Sequence, residues 1–116
     1  MKDFDTQTRL QPTTDESLVQ ENRQYKGTGG LSSNNRSQGF TPAFLDTRTG
    51  NIYRSRFPDG RPASVHVLAG LPEKLVENNN RSNGHRVIKR TVISGFILEA
   101  TFYSREEAAA ALKKVH

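Results

Sequence analysis

Between Arg86 and Tyr103 the chain reads RVIKRTVISGFILEATFY, and no other run carries comparable apolar content. Any core has to form around it, because only 33% of the 116 residues are hydrophobic. The even positions Ile88, Val92, Phe96, Leu98, Ala100 and Phe102 alternate as one face of a strand, broken by Arg90 and Ser94. The pairs Val87–Ile88, Val92–Ile93 and Phe96–Ile97 also recur at nearly helical spacing, so periodicity alone leaves residues 87–98 open. β-Branched side chains and Gly95 favour a strand with a bend or bulge at Ser94–Gly95. SREEAAAALKKV then reads as a helix. Ser104 caps it, Glu107 completes a capping box, the alanines favour helix, and Lys113 and Lys114 suit its negative end.

The remaining elements fit around that pair. FTPAFLD and NIYRSRF flank TRTG, whose glycine supplies the left-handed residue of a hairpin turn. Pro42 lacks an amide donor, which predicts an edge position or an irregular start for the first strand. Alternation on the second strand puts Tyr53, Ser55 and Phe57 on one face and Ile52, Arg54 and Arg56 on the other. PDGRP is a turn, and SVHVLAG follows as a short strand with Val65 and Val67 inward and His66 outward. LPEKLVEN predicts a short helix near 71–77, and residues 78–84 a polar loop. Residues 1–39 show no sustained period, although TDESLVQENR could start a short helix near Thr14 with little to bury. The expectation is therefore one α+β domain over 40–116. It has a small antiparallel sheet of three to five strands, a short helix and a C-terminal helix on one face, behind a largely disordered segment 1–39.

Composition narrows the function classes. The chain has no cysteine, hence no disulfide, thiolate nucleophile or cysteine-based zinc site. It has no apolar run near the ~20 residues a membrane helix needs, and MKDFDTQTRL lacks the apolar stretch of a signal peptide. A cytoplasmic setting without a membrane partner is expected. The net charge of +5 is uneven: residues 1–22 carry −3, residues 23–95 carry +8, and the rest balance. The acidic start reads as a solvated tail, with folding back onto the basic body as the alternative.

Several motifs invite a chemistry that their surroundings do not support. GTGG at 27–30 has no strand before it and no Gly-Lys-Ser/Thr after it, so it reads as a flexible loop rather than a phosphate cradle. His66, His85 and His116 lack metal-ligand spacing, and neither a metal nor another cofactor is expected. Ser64, His66 and Asp59 can be spelled as a triad, but catalytic triads assemble from separate elements. No catalytic residue is assigned.

YRSRFPDGRPASVH, residues 53–66, is the more informative stretch. Arg54 and Arg56 share a strand face, Arg61 sits on the following turn, and a returning strand would bring His66 near them. Such a face can grip phosphates, with Tyr53 or Phe57 available to stack a base. The plainer alternative is a solvated face with a local Asp59–Arg61 pair. The expected ligand-binding set is Arg54, Arg56, Arg61, His66, Arg86, Lys89 and Arg90.

From Tyr25 to Ala108, the phrases YKGTGGLSSNNRSQGFTPAFLDTRTGNIYRSRFPDGRPASVHVLAGLP and VISGFILEATFYSREEAA resemble small uncharacterised bacterial proteins often met on plasmids and other mobile elements. The resemblance implies a bacterial cytoplasmic setting and a mobile-element role, and it carries no residue roles. Three functions stay open. The leading one is a binding module that contacts nucleic acid through the arginine face. The second is an interaction or inhibitor protein docking on an acidic partner, and the third is a small enzyme using His66. Exposed strand edges also leave room for a homodimer.

Overall fold

The computed structural model describes residues 13–82 and 85–113. Within them lie three α-helices, α1 (Asp15–Gln24), α2 (Ser32–Asn35) and α3 (Arg105–Lys113). Six strands accompany them: β1 (Thr41–Asp46), β2 (Asn51–Arg54), β3 (Val76–Ser82), β4 (His85–Ile88), β5 (Val92–Leu98) and β6 (Thr101–Ser104). Four form an antiparallel sheet in the order β2-β1-β5-β6, and β3 pairs with β4 as a separate ribbon. The class is α+β, with α3 packed on the sheet. Among the described residues no helix is long and apolar enough to cross a membrane.

The predicted hairpin forms around TRTG. The Asp46 carboxylate accepts from the Arg48 amide at 3.0 Å, and the Gly50 amide (φ 80) returns to the Asp46 carbonyl at 2.8 Å. β1 nevertheless lies inside the sheet, contrary to the edge position that Pro42 suggested. The Pro42 carbonyl accepts from Ser55, just beyond the end of β2. In an antiparallel strand the amide of a residue faces the same neighbour as its carbonyl. The missing donor therefore points where β2 has already stopped.

The long apolar run is three strands rather than one. It breaks at residues 89–91, and a two-residue turn at Glu99–Ala100 (φ 50 and 67) separates β5 from β6. That turn moves Phe102 opposite Ile97, off the face of Phe96 and Leu98 where uninterrupted alternation had put it. No bulge occurs at Ser94–Gly95, since the pairing of β5 with β1 keeps one register from Ile97 to Val92. Gly95 instead makes room for the Phe102 ring and the Tyr103 backbone.

Phe44, Val92 and Phe96 face the covered side of the sheet. Phe44 and Val92 pack there with Leu18, Leu68, Leu71, Leu75 and Ile88, while Phe96 meets Phe40 and Ala108. On the opposite face Ala43, Leu45, Ile93, Ile97 and Phe102 form a second buried cluster.

The expectation of a largely disordered 1–39 fails for residues 13–39; residues 1–12 lie outside the described residues. Thr13 exchanges two backbone hydrogen bonds with Ile88 and its hydroxyl donates to the Val92 carbonyl. Thr14 then caps α1 through a box with Ser17. The helix buries only Leu18 as an apolar residue, so a hydrophobic period could not reveal it.

GTGG is a loop, as expected, but one packed closely against α3. A Cβ on Gly30 would stand 2.7 Å from the Arg105 carbonyl, and one on Gly29 2.6 Å from that of Ala108. Gly29 and Gly30 let the loop touch α3, whereas Gly27 supplies a positive φ of 81 in open space. Gly30→Ala is expected to lose about 1–3 kcal/mol in urea unfolding through overpacking against backbone. An unchanged midpoint would remove this account of the loop.

Residues 64–69 form no strand. The buried Ser55 hydroxyl donates to the Val65 carbonyl and accepts from the Val67 amide, both at 2.8 Å, and so ties the segment down as a loop. Val65 faces out, 49% exposed, and the His66 ring faces in, the reverse of the predicted alternation. The helix expected near 71–77 is a single 3-10 turn, Glu73–Leu75, because Val76 already begins β3. Of the polar loop expected at 78–84, residues 78–82 belong to β3 and residues 83–84 lie outside the described residues.

Candidate anion-binding groove

β2 pairs on one side only, so it is an outer strand of the sheet. Arg54 stands opposite Ala43, and Arg56 follows two residues on, where it bridges to Pro62. Both are exposed, as the alternation predicts. Their guanidiniums find only neutral oxygens among the described residues. Arg54 Nη1 lies 3.4 Å from the Thr41 hydroxyl, and Arg56 Nη1 donates to the Gly60 carbonyl at 3.0 Å.

Beside these arginines runs a groove of about 390 Å³, lined by Ile52, Tyr53, Arg54, Arg56 and residues 70–72. Its far wall is held by specific contacts. Gly70 sits so close to the Arg56 carbonyl that a side chain there would collide with it. Arg86 donates to the Leu68 and Leu71 carbonyls and pairs with Glu73 at 3.5 Å. Lys74, which sequence reasoning passed over, is exposed and holds its ammonium 5.9 Å from the centroid of the Tyr53 ring. Its signal lay in the Pro72 turn that carries it to β2.

The other expected residues lie elsewhere. Arg61 is spent locally: Nε meets Asp59 Oδ2 at 2.6 Å, and the guanidinium stacks 5.2 Å from the Phe57 centroid. Arg86 braces the groove wall from behind. Lys89 and Arg90 occupy the connection between β4 and β5, with Arg90 exposed. That connection abuts the β1–β2 turn through a Thr47–Thr91 hydrogen bond, at the end of β2 away from Arg54. The structure thus brings together Arg54 and Arg56 from the expected set and adds Lys74.

His66 departs furthest from expectation, because the segment carrying it folds under the sheet. Its ring meets Phe44 and Phe96 edge-on, with centroids 5.3 and 5.2 Å away. Arg105 Nη2 donates to Nδ1 at 3.1 Å, since a guanidinium has no acceptor. Nε2 therefore carries the proton and donates to the Gly95 carbonyl at 2.7 Å. Burial, then the Arg105 charge, pulls the imidazole pKa down to about 3. Both nitrogens are taken, so the ring has neither proton nor lone pair to offer a substrate.

Arg105 itself is only 3% exposed, a buried cation that the apolar periodicity around it does not mark. Its Nε bonds the Ser94 hydroxyl at 3.0 Å and Glu21 at 3.1 Å, and Nη1 donates to the Gly30 carbonyl at 3.1 Å. Ser94 donates to the same Glu21 carboxylate at 2.6 Å. The acidic N-terminal stretch does fold back, at Glu21. A wider cleft of about 740 Å³ opens in front of this network, but the charged groups at its base bond to one another. Burial, then the charges of Glu106 and Glu21, raises the Tyr25 phenol there above its ordinary pKa. Among the described residues no group of three or more His, Asp or Glu is placed to hold a metal ion. Set against known families, curated proteins and solved structures, the chain matches no family model, no curated protein and no solved structure.

Proposed function

We propose that the chain is a binding module whose groove beside β2 holds the phosphates of a nucleic acid. One observation carries this reading: Arg54 and Arg56, two residues apart, are both exposed and both line the groove, and no described carboxylate neutralises either. Arginine forks suit phosphate oxygens, and the Lys74 ammonium, 5.9 Å from the centroid of the Tyr53 ring, adds a third cation close by. The bacterial, mobile-element setting implied by the resemblance belongs to the same proposal.

The test is fluorescence anisotropy of labelled DNA and RNA titrated over a salt series. Binding is expected to weaken steeply with salt, with a log–log slope set by the number of phosphates neutralised. Arg54→Ala with Arg56→Ala is expected to flatten that slope by roughly 1.5–2, two contacts' worth. Absence of binding at the lowest salt would sink the proposal.

A second reading rests on a different feature, the unpaired edge of β2. An acidic segment of a protein partner, or a second copy of this chain, would add there as a strand. A stoichiometric protein partner recovered from lysate, or a dimer mass in solution that Arg54→Pro abolishes, would favour it.

A further inference from the structure

The groove also bears on which form of nucleic acid enters it, an inference that rests on the phosphate reading above. A duplex turns its phosphates and sugars outward and keeps its base faces stacked inside, so it offers no base face to an aromatic ring. An unpaired base has a free π-face and calls for an aromatic or apolar platform between cations. The groove has that composition. Ile52 is 40% exposed along it, Tyr53, Leu71 and Pro72 supply the rest of its apolar lining, and Arg54 and Arg56 stand at its rim. Its volume of about 390 Å³ falls in the size class of small-molecule pockets, roughly 300–1,000 Å³.

The slot is also formed before any ligand arrives. Gly70 against the Arg56 carbonyl, Arg86 behind the loop and the Ser55 hydroxyl beneath residues 65–67 fix the far wall to β2. The Lys74 ammonium, at 5.9 Å, is near the outer limit of a cation–π contact, so a stacked base displaces little when it takes the ring.

From these features we infer that the groove takes single-stranded nucleic acid. An unstacked base lies on Tyr53 and Pro72, and the flanking phosphates bond Arg54, Arg56 and Lys74. Tyr53 then selects for single strands, whereas the arginines serve any phosphate backbone.

The experiment compares a short labelled oligonucleotide with its duplex of the same sequence, against the full chain at one low salt concentration. The single strand is expected to bind about tenfold more tightly. Tyr53 packs partly against the core, so the variants are Tyr53→Leu, which keeps apolar bulk, and Tyr53→Phe, which keeps the ring. Urea unfolding checks that both are folded. Phe is expected to retain the preference, and Leu to abolish it by bringing the single strand down to the affinity that the same variant shows for the duplex. Equal binding of both forms, or a preference that survives Tyr53→Leu, overturns this inference and leaves the phosphate reading standing. No binding of either form overturns both.

Discussion

Arg105→Met is expected to destabilise the protein by about 3–5 kcal/mol, the largest effect of any single side chain named above. The guanidinium is nearly sealed from water and bonds four groups drawn from four parts of the chain: Glu21, Gly30, His66 and Ser94. Removing it strands the Glu21 carboxylate, which is only 13% exposed, beside a hydroxyl that can satisfy it only in part. Removing both charges is a different matter, because two buried ions have also surrendered their hydration. Arg105→Met combined with Glu21→Met is expected to recover much of the loss, in line with buried pairs elsewhere. Urea unfolding of the two single variants and the double variant gives the coupling directly. A loss below about 1 kcal/mol for Arg105→Met would mean that the network is decorative.

Acid is expected to unfold the protein through the same network. His66 is neutral when folded, with a pKa near 3 against 6.5 for the free side chain. Below pH 6.5 the unfolded chain takes up a proton that the folded chain refuses, so stability falls with pH. The slope approaches about 1.4 kcal/mol per pH unit and ends where the folded histidine finally protonates. Above pH 6.5 this group contributes no pH dependence. Unfolding free energies between pH 7 and pH 4 measure the effect, and His66→Gln separates it from the carboxylates that titrate in the same range. If the variant and the parent lose stability in parallel, His66 is not the acid-sensitive group.

What could be read from the sequence was local. The β1–β2 hairpin announced itself through Asp46, Thr49 and Gly50, whose hydrogen bonds all close within five residues. The capping box of α3 was equally legible: Ser104 accepts from the Glu107 amide at 3.1 Å, and Glu107 returns to the Ser104 amide at 2.9 Å. Arg54 and Arg56 came out exposed because alternation on a real strand is reliable.

Residues 64–69 failed because SVHVLAG alternates like a strand and has no strand beside it. Side chains hold its backbone instead, the Ser55 hydroxyl at Val65 and Val67 and the Arg36 and Arg86 guanidiniums at Ser64 and Leu68, and no periodicity announces them. The start of α1 near Thr14 was legible, but not what holds the helix in place, because its anchoring is polar: Thr13 at one end, Glu21 at the other and only Leu18 buried between. One clue to the buried network was present. Arg105 opens α3, where the helix dipole disfavours a cation, and its pairing with Glu21 from another part of the chain offsets that cost. Ser94 within the apolar run was the second half of the same clue.

The strand order also dictates when the molecule can be completed. The two hairpins, β1–β2 and β5–β6, each close over a short turn, and pairings of that kind form in about 1–10 μs. The seam between them joins residues 46 to 56 positions apart. At a synthesis rate of about 5–20 residues per second, β1 waits several seconds with its inner edge bare until β5 is made. The first helix waits longer still, because the arginine that seats its Glu21 belongs to the last one. On the ribosome residues 13–46 therefore wait, with their docking surfaces bare, for residues 88–105 to emerge.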